Sequence, residues 1–179
     1  MVGLGNPGAE FAGSLHNAGA DTVELVASRS GVALKPEKGV QARIAQTVIG
    51  GLTVGLAIPT TYMNESGAAV RGLVKRFGIE DPGALLVVHD ELDLPPGTVR
   101  IKVGGGLAGH NGLRSIEAHL HTTDFMRIRI GVGKPPSADR GADHVLSRPA
   151  KSVRAVLEAS VQTAADAVER SIEAGSIWL

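Results

Sequence analysis

Short runs rich in Val, Ile and Leu alternate along this chain with segments whose apolar residues recur at helical spacing. Strand-like runs that alternate with amphipathic helices are typical of a β-sheet covered by helices. The longest purely aliphatic stretch, residues 84–88, is far shorter than the roughly 20 residues that a membrane-spanning helix needs. The alternation therefore predicts an α/β fold that does not span a membrane.

Turn residues between these segments set the boundaries of the predicted elements. The predicted strands are Val2–Leu4, Ala42–Val48, Thr53–Ile58, Leu85–His89, Val99–Val103 and Met126–Val132. The predicted helices are Ala18–Arg29, Ser66–Phe77, Gly112–His119 and Val153–Glu173. Gly50-Gly51 between the second and third strands indicates a two-residue hairpin, so these two strands run antiparallel. We expect a single three-layer domain over residues 1–179, with a mixed β-sheet flanked by helices.

Composition narrows the chemistry and the compartment. The chain has no Cys, which excludes disulfides, thiolate metal sites and a thiol nucleophile. The first residues have neither a basic segment nor a long apolar run, so we expect no signal peptide and a cytoplasmic protein.

The charge balance is neutral overall but uneven along the chain. Eighteen Lys and Arg match eighteen Asp and Glu, whereas residues 95–134 carry six basic against two acidic side chains. Strand alternation places Arg127 and Arg129 on one face, and Arg100 and Lys102 likewise. These are either ordinary solvated cations or, if the two strands are neighbours, a stripe that binds phosphates.

Four polar segments lie where predicted strands end or helices begin, which is where open α/β folds bind ligands. They are residues 3–8 with the nearby His16-Asn17, residues 59–67, residues 89–95 and residues 104–113. The first and the last contain the G-x-G-x-x-G pattern of dinucleotide-binding loops. However, Pro7 removes a backbone N–H, and no acidic residue ends a second strand about twenty residues later. We therefore attribute these glycines to sharp turns and close approach of a ligand.

Two classes of hydrolase can be weighed from the remaining motifs. The run of His89, Asp90, Glu91 and Asp93 could hold a divalent ion, although the H-E-x-x-H motif is absent, and hydrolysis of another small ester by a metal stays open. A serine esterase is disfavoured because no G-x-S-x-G motif occurs. An esterase of this sequence must use water, and needs a general base, a group that orients the base, and donors for the oxyanion.

Taken together, the four segments resemble bacterial-type peptidyl-tRNA hydrolases. The matching motifs, in the order of that family, are Gly-Leu-Gly-Asn-Pro-Gly, His-Asn, Tyr-Met-Asn-x-Ser-Gly, His-Asp-Glu-Leu-Asp-Leu-Pro, Gly-Gly-Gly-x-x-Gly-His-Asn-Gly-Leu and Phe-x-Arg-x-Arg-Ile-Gly. The resemblance implies a monomeric enzyme that hydrolyses the ester of peptidyl-tRNA without a metal or cofactor.

The resemblance also assigns roles to single residues. His16 matches the base that activates water, and Asp90 matches its orienting partner. The positions that match substrate-binding residues are Asn6, Phe11, Tyr62, Met63, Asn64 and Asn111. The positions that match tRNA contacts are Lys102, His110 and Arg129. Asn64 has a structural alternative, the N-cap of the helix that follows it.

Some positions depart from the pattern of the family. Phe11 stands where the family usually has Tyr, and Leu15 where it usually has Arg; residues 175–179 lack the usual closing pattern. With the neutral charge, these departures motivate an alternative hypothesis: a divergent paralogue that binds tRNA or the ribosome with weak or no turnover.

Overall fold

The predicted strands and helices all form in the computed structural model, which describes residues 1–175; residues 176–179 of the expected domain lie outside this range. The strands are β1 Val2–Gly3, β2 Lys35–Pro36, β3 Ala42–Ile49, β4 Leu52–Pro59, β5 Leu86–Glu91, β6 Val99–Val103 and β7 Met126–Gly131. The helices are α1 Ala18–Arg29, α2 Ser66–Phe77, α3 Asn111–Leu120, α4 Gly141–Leu146 and α5 Lys151–Glu173. No helix within residues 1–175 is long and apolar enough to cross a membrane.

The sheet is mixed, as expected, with the strand order β2-β3-β4-β1-β5-β7-β6. Strand β1 pairs in parallel with β4 and β5, and β5 pairs in parallel with β7. The outer strands run antiparallel to their neighbours. The carboxyl ends of β1, β4, β5 and β7 therefore meet at one edge of the sheet, which is where three of the polar segments begin.

The hairpin between β3 and β4 forms at the predicted glycines. Ile49 pairs with Leu52, and Gly50 and Gly51 between them have φ values of 56° and 82°. Two consecutive residues with positive φ are what a tight primed turn requires, and glycine adopts this conformation without strain.

Helices cover both faces of the sheet, which gives the three layers predicted. Helices α1 and α5 pack on one face through residues such as Val23, Val26 and Val168. Helices α2 and α3 pack on the other through residues such as Val70, Leu73 and Ile116. Each fully buried aliphatic side chain stabilises the fold by about 1.5–3 kcal/mol.

Two features were not predicted from periodicity. The short strand β2 and the short helix α4 offer too few residues for a recognisable pattern.

Helix α3 begins at Asn111 because His110 caps it: the His110 Nδ1 accepts the backbone N–H groups of Gly112 at 3.1 Å and Leu113 at 3.3 Å. Histidine is not among the preferred capping residues, so this role could not be read from residue preferences.

Candidate active site

The candidate site lies at the edge of the sheet where the parallel strands end. Asn6 follows β1, residues 60–65 follow β4, and Asp90 lies at the end of β5. A single turn of 3-10 helix, Leu15–Asn17, precedes α1 and carries His16. Asn111 opens α3 beside them. The topology thus brings together side chains that are widely separated in the chain.

His16 and Asp90, the predicted base and its partner, form a buried pair. The His16 Nδ1 lies 2.8 Å and 2.9 Å from the two carboxylate oxygens of Asp90. His16 is 7% exposed and Asp90 is 1% exposed. Because the carboxylate accepts the Nδ1 proton, the neutral ring of His16 has its lone pair on Nε2, which is the form that a general base needs.

His110 is a second donor to the same carboxylate. Its Nε2 lies 2.9 Å from the Asp90 Oδ1, while its Nδ1 accepts the two N–H groups at the start of α3. A ring nitrogen that accepts hydrogen bonds carries no proton, so the proton of His110 is on Nε2. Capping of α3 therefore fixes His110 as a neutral donor to Asp90, a role that the sequence did not indicate.

The charge of Asp90 is stabilised by these two rings. Burial by itself would raise the pKa of this carboxyl, but the ring N–H groups of His110 and His16 hold the pKa of Asp90 well below its ordinary value. Asp90 is consequently ionised at every pH at which a histidine can act as a base.

Among the three neighbouring histidines, only His16 has an accessible nitrogen that can act as a base. His89 is fully buried and donates from Nδ1 to the Asp90 carbonyl, and burial with the neighbouring His110 lowers the pKa of His89 to about 3. Both nitrogens of His110 are engaged within the protein. The Nε2 of His16 is the one that remains, and His16 lines the open cavity of the site.

The predicted substrate-binding residues surround that cavity, which has a volume of about 420 Å³. Its lining residues are Asn6, Phe11, His16, Tyr62, Met63, Asn64 and Asn111, with Ala142, Val145 and Leu146 of α4. Asn64 and Asn111 are exposed and Met63 is buried. Asn64 is not a helix cap: the capping position of α2 is Glu65, and the Gly67 N–H in the first turn donates to the Ser115 hydroxyl at 2.9 Å.

Asn6 is held in one orientation by its neighbours. Its side-chain Oδ1 accepts the backbone N–H of Met63 at 2.7 Å. Asn17 binds the Asn6 backbone on both sides: its Oδ1 accepts the Asn6 N–H at 2.9 Å, and its Nδ2 donates to the Asn6 carbonyl at 3.0 Å. The amide nitrogen of Asn6 is thus the group left to donate to a substrate. In the sequence, Asn17 stood out only as part of a motif, without this role.

The predicted cations do lie on neighbouring strands. Lys102 pairs with Arg127 and Arg100 pairs with Arg129 across β6 and β7. Lys102 and Arg129 are partly exposed and Arg100 is exposed, but Arg127 is only 1% exposed. Fewer cations are therefore exposed on these strands than the sequence indicated, because the protein encloses Arg127. His110, predicted to contact tRNA, is buried beside Asp90 and is not part of this exposed face.

The structure changes the interpretation of the candidate metal site. The run from His89 to Asp93 does not converge, because strand alternation puts Asp90 on the opposite face from His89 and Glu91. Within residues 1–175, the one group with metal-ligand spacing is His16, Asp90 and His110, whose ligand atoms lie within 4.8 Å of one another. Coordination would require a lone pair on the His110 Nε2, and the capping bonds put a proton there. The donor set fits a proton network and not a metal centre.

Comparisons with known proteins identify the family of this chain. The family model described as peptidyl-tRNA hydrolase matches residues 1–177. The chain belongs to the peptidyl-tRNA hydrolase family. The peptidyl-tRNA hydrolase of Cutibacterium acnes is 46% identical, with 98% of this chain and 92% of that protein covered. That of Halorhodospira halophila is 48% identical, with 95% and 87% covered. A crystal structure of peptidyl-tRNA hydrolase from Acinetobacter baumannii is 40% identical, covers 98% of this chain and 88% of its own, and superposes with a TM-score of 0.92.

Membership of the family confirms the resemblance and the α/β fold drawn from the sequence. The structure explains one departure from the family pattern, the Leu at position 15. Leu15 is 3% exposed and belongs to the hydrophobic core on the face of the sheet that α1 covers. An apolar side chain suits that buried position.

Proposed function

We propose that this member of the family hydrolyses the ester between a peptide and its tRNA, with His16 as the general base for water. The observation that carries the proposal is the pair formed by His16 and Asp90, in which the Nδ1 is held and the Nε2 is left for catalysis. Together with family membership, this complete pair favours an enzyme over a tRNA-binding module with weak turnover.

The reaction begins when the Nε2 of His16 takes a proton from water as the water oxygen attacks the ester carbonyl carbon. Asp90 stabilises the imidazolium that forms, without itself taking the proton. Asn64 and Asn111 offer amide N–H donors to the developing oxyanion, where preorganised donors have their greatest effect. The imidazolium then returns the proton to the ribose oxygen as the carbon–oxygen bond breaks, which gives a free peptide carboxylate and tRNA.

Selection of blocked substrates follows from the orientation of Asn6. Its amide nitrogen donates, because its oxygen is already engaged by the Met63 N–H. A donor at this position pairs with the carbonyl of a peptide bond. A free aminoacyl-tRNA lacks that carbonyl and presents an ammonium group, which cannot accept a hydrogen bond. A buried polar group left unpaired costs about 1–3 kcal/mol, which is the scale of the discrimination expected.

The tRNA is held by the cations of β6 and β7 that are exposed or partly exposed. Lys102 and Arg129, with Arg100, form a compact basic face that fits a few phosphates and agrees with the neutral charge of the whole chain. Recognition of this kind is local and depends on salt. We further propose that the enzyme acts as a monomer in the cytoplasm.

The proposed function is tested by incubating the purified chain with N-acetyl-aminoacyl-tRNA and measuring release of the N-acetyl amino acid. We expect multiple turnovers, with far slower release from the free aminoacyl-tRNA. Salt-dependent binding of the tRNA without release would instead identify a binding module.

Removal of divalent metal ions from the enzyme preparation should leave catalysis intact. Because capping of α3 keeps the proton on the His110 Nε2, we expect kcat to change by less than about 2-fold after dialysis against EDTA, measured with metal-free substrate at fixed ionic strength. A loss that zinc or manganese restores would show that the three buried side chains hold an ion after all.

Replacing Asn17 by Asp should weaken substrate discrimination. The Asn17→Asp change keeps the size of the side chain but puts a carboxylate oxygen against the Asn6 carbonyl, where the Nδ2 now donates at 3.0 Å. We expect kcat/KM for N-acetyl-aminoacyl-tRNA to fall about 10-fold, the cost of one buried unpaired group. The ratio of kcat/KM between blocked and free aminoacyl-tRNA reports the change.

The matched control for Asn17 is Ser14→Ala. It removes only a long 3.5 Å contact to the Asn17 Oδ1, and should alter the ratio by less than about 2-fold. An Asn17→Asp variant that discriminates as well as the wild type would contradict the role given to the Asn6 amide.

A further inference from the structure

We propose that Arg127 is a positioning residue that holds the glycine-rich loop, residues 104–109, and through it places His110 and Asn111 in the active site. The inference rests on the proposed function and extends it to a side chain that touches no substrate. It separates Arg127 from the cations beside it, which the proposed function assigns to phosphate contact.

The guanidinium of Arg127 binds the loop backbone. Its two terminal nitrogens each donate to the Gly106 carbonyl at 3.1 Å, and one of them also donates to the Gly104 carbonyl. The residue is 1% exposed, the largest side chain among those that are fully buried in residues 1–175. A phosphate therefore cannot reach Arg127 unless the loop leaves.

The loop needs such an anchor because its glycine-rich backbone can adopt many conformations. Gly104, Gly105 and Gly109 have φ values of 62°, 82° and 74°, and Ala108 has the same left-handed conformation at 50°. Glycines lose more conformational freedom on ordering than any other residue, and alanine is disfavoured at positive φ. The hydrogen bonds from Arg127 offset this cost, since a planar guanidinium can bridge two carbonyls at once.

The two residues that directly follow the loop, His110 and Asn111, belong to the active site. The His110 N–H donates to the Leu107 carbonyl at 3.0 Å, which ties the last turn of the loop to the residues that Arg127 holds. His110 then donates to Asp90, and Asn111 lines the cavity. A shift of the loop would move both side chains, and a misplacement of about 1 Å in an active site can cost about 10²-fold in rate.

The electrostatic surroundings support an anchoring role over an ion pair. Within residues 1–175, no carboxylate is hydrogen-bonded to Arg127, and the nearby Glu91 pairs with Arg129 at 3.4 Å. The charge of Arg127 is compensated by carbonyl dipoles of the loop. Replacing this arginine by an apolar side chain of similar length removes the buried charge and leaves the Gly104 and Gly106 carbonyls without these donors, so the loop loses its anchor.

The test compares Arg127→Met with Lys102→Met, its partner across β6 and β7, and with Arg71→Met, an exposed arginine on α2. For each variant, kcat and KM on N-acetyl-aminoacyl-tRNA are measured over a range of salt, with a melting temperature to check the fold. We expect Arg127→Met to lower kcat by about 10–10²-fold and to leave the slope of log KM against log salt unchanged. Lys102→Met should instead raise KM and reduce that slope by about 0.7–0.9, the value of one phosphate contact. Arg71→Met should match the wild type.

Arg127→Lys is the second variant, since it retains the buried charge and so preserves the fold if Arg127→Met does not. One ammonium group cannot bridge the two carbonyls as the guanidinium does, so its kcat should fall between those of the wild type and Arg127→Met. A wild-type kcat in either variant, or a salt slope altered as in Lys102→Met, would overturn the positioning role. Absence of release by the wild-type chain in the same assay would instead overturn the proposed function.

Discussion

Replacing His16 by Ala should lower kcat by about 10³–10⁴-fold while the KM for tRNA substrate changes little. A positioned general base contributes about 10²–10⁴-fold, and His16 is also the group that returns the proton to the leaving ribose oxygen. The residue contacts water and the ester, and the cations assigned to tRNA lie on β6 and β7, so binding should survive the change. Single-turnover release from saturating N-acetyl-aminoacyl-tRNA measures the chemical step directly.

The control for His16→Ala is a histidine change outside the site. His121 is exposed at the end of α3 with a φ value of 56°, a conformation that asparagine also adopts, so His121→Asn should retain the wild-type rate. His89 is fully buried and both nitrogens of His110 are engaged, so neither ring can replace the base. A His16→Ala variant that keeps the wild-type rate would therefore remove the proposed mechanism altogether.

Replacing Asp90 by Asn should lower kcat by about 10²-fold through the tautomer of His16. His110 must donate from Nε2, because its Nδ1 accepts the capping N–H groups, so the oxygen of the introduced amide would turn toward His110. The amide nitrogen would then take the place of the carboxylate oxygen that lies 2.9 Å from the His16 Nδ1, while the amide oxygen would take the place of the shared oxygen at 2.8 Å. An N–H donor against Nδ1 favours the His16 tautomer with its proton on Nε2, in which the ring has no basic nitrogen toward the water.

The pH profile identifies the cause of that loss. Because the ring N–H groups of His110 and His16 hold the pKa of Asp90 below its ordinary value, the carboxyl stays ionised and contributes no acid limb to kcat/KM. Without the carboxylate, the imidazolium that forms in the reaction is less stable, so the pH–rate profile of Asp90→Asn should differ from that of the wild type. A variant with an unchanged rate and an unchanged pH–rate profile would show that Asp90 does not orient His16.

The fold was largely predictable because its signals are local. The bounds of α1 and α2 follow from apolar spacing, and the hairpin of β3 and β4 follows from two adjacent glycines. Helix α3 starts one residue earlier than expected because a histidine caps it. Strand β2 and helix α4 are held by tertiary contacts that a local pattern does not encode.

The site was predictable only in part, because its interactions join residues far apart in the chain. The pairing of His16 with Asp90 across 74 residues came from family resemblance and not from periodicity. Nothing in the sequence distinguished the buried Arg127 from the partly exposed Arg129, since both alternate onto the same strand face. Only the loop that covers Arg127 separates their roles. The two hydrogen bonds between the Asn17 side chain and the Asn6 backbone likewise depend on how β1 packs against α1.

The most direct test of the central claim is release of N-acetyl amino acid from N-acetyl-aminoacyl-tRNA in water enriched in ¹⁸O, followed by mass spectrometry of both products. If water activated by His16 attacks the ester carbonyl, the wild-type chain should place one ¹⁸O in the released carboxylate and none in the tRNA. His16→Ala should release the N-acetyl amino acid about 10³–10⁴-fold more slowly. Label in the ribose hydroxyl, or release at the wild-type rate from His16→Ala, would contradict the claim.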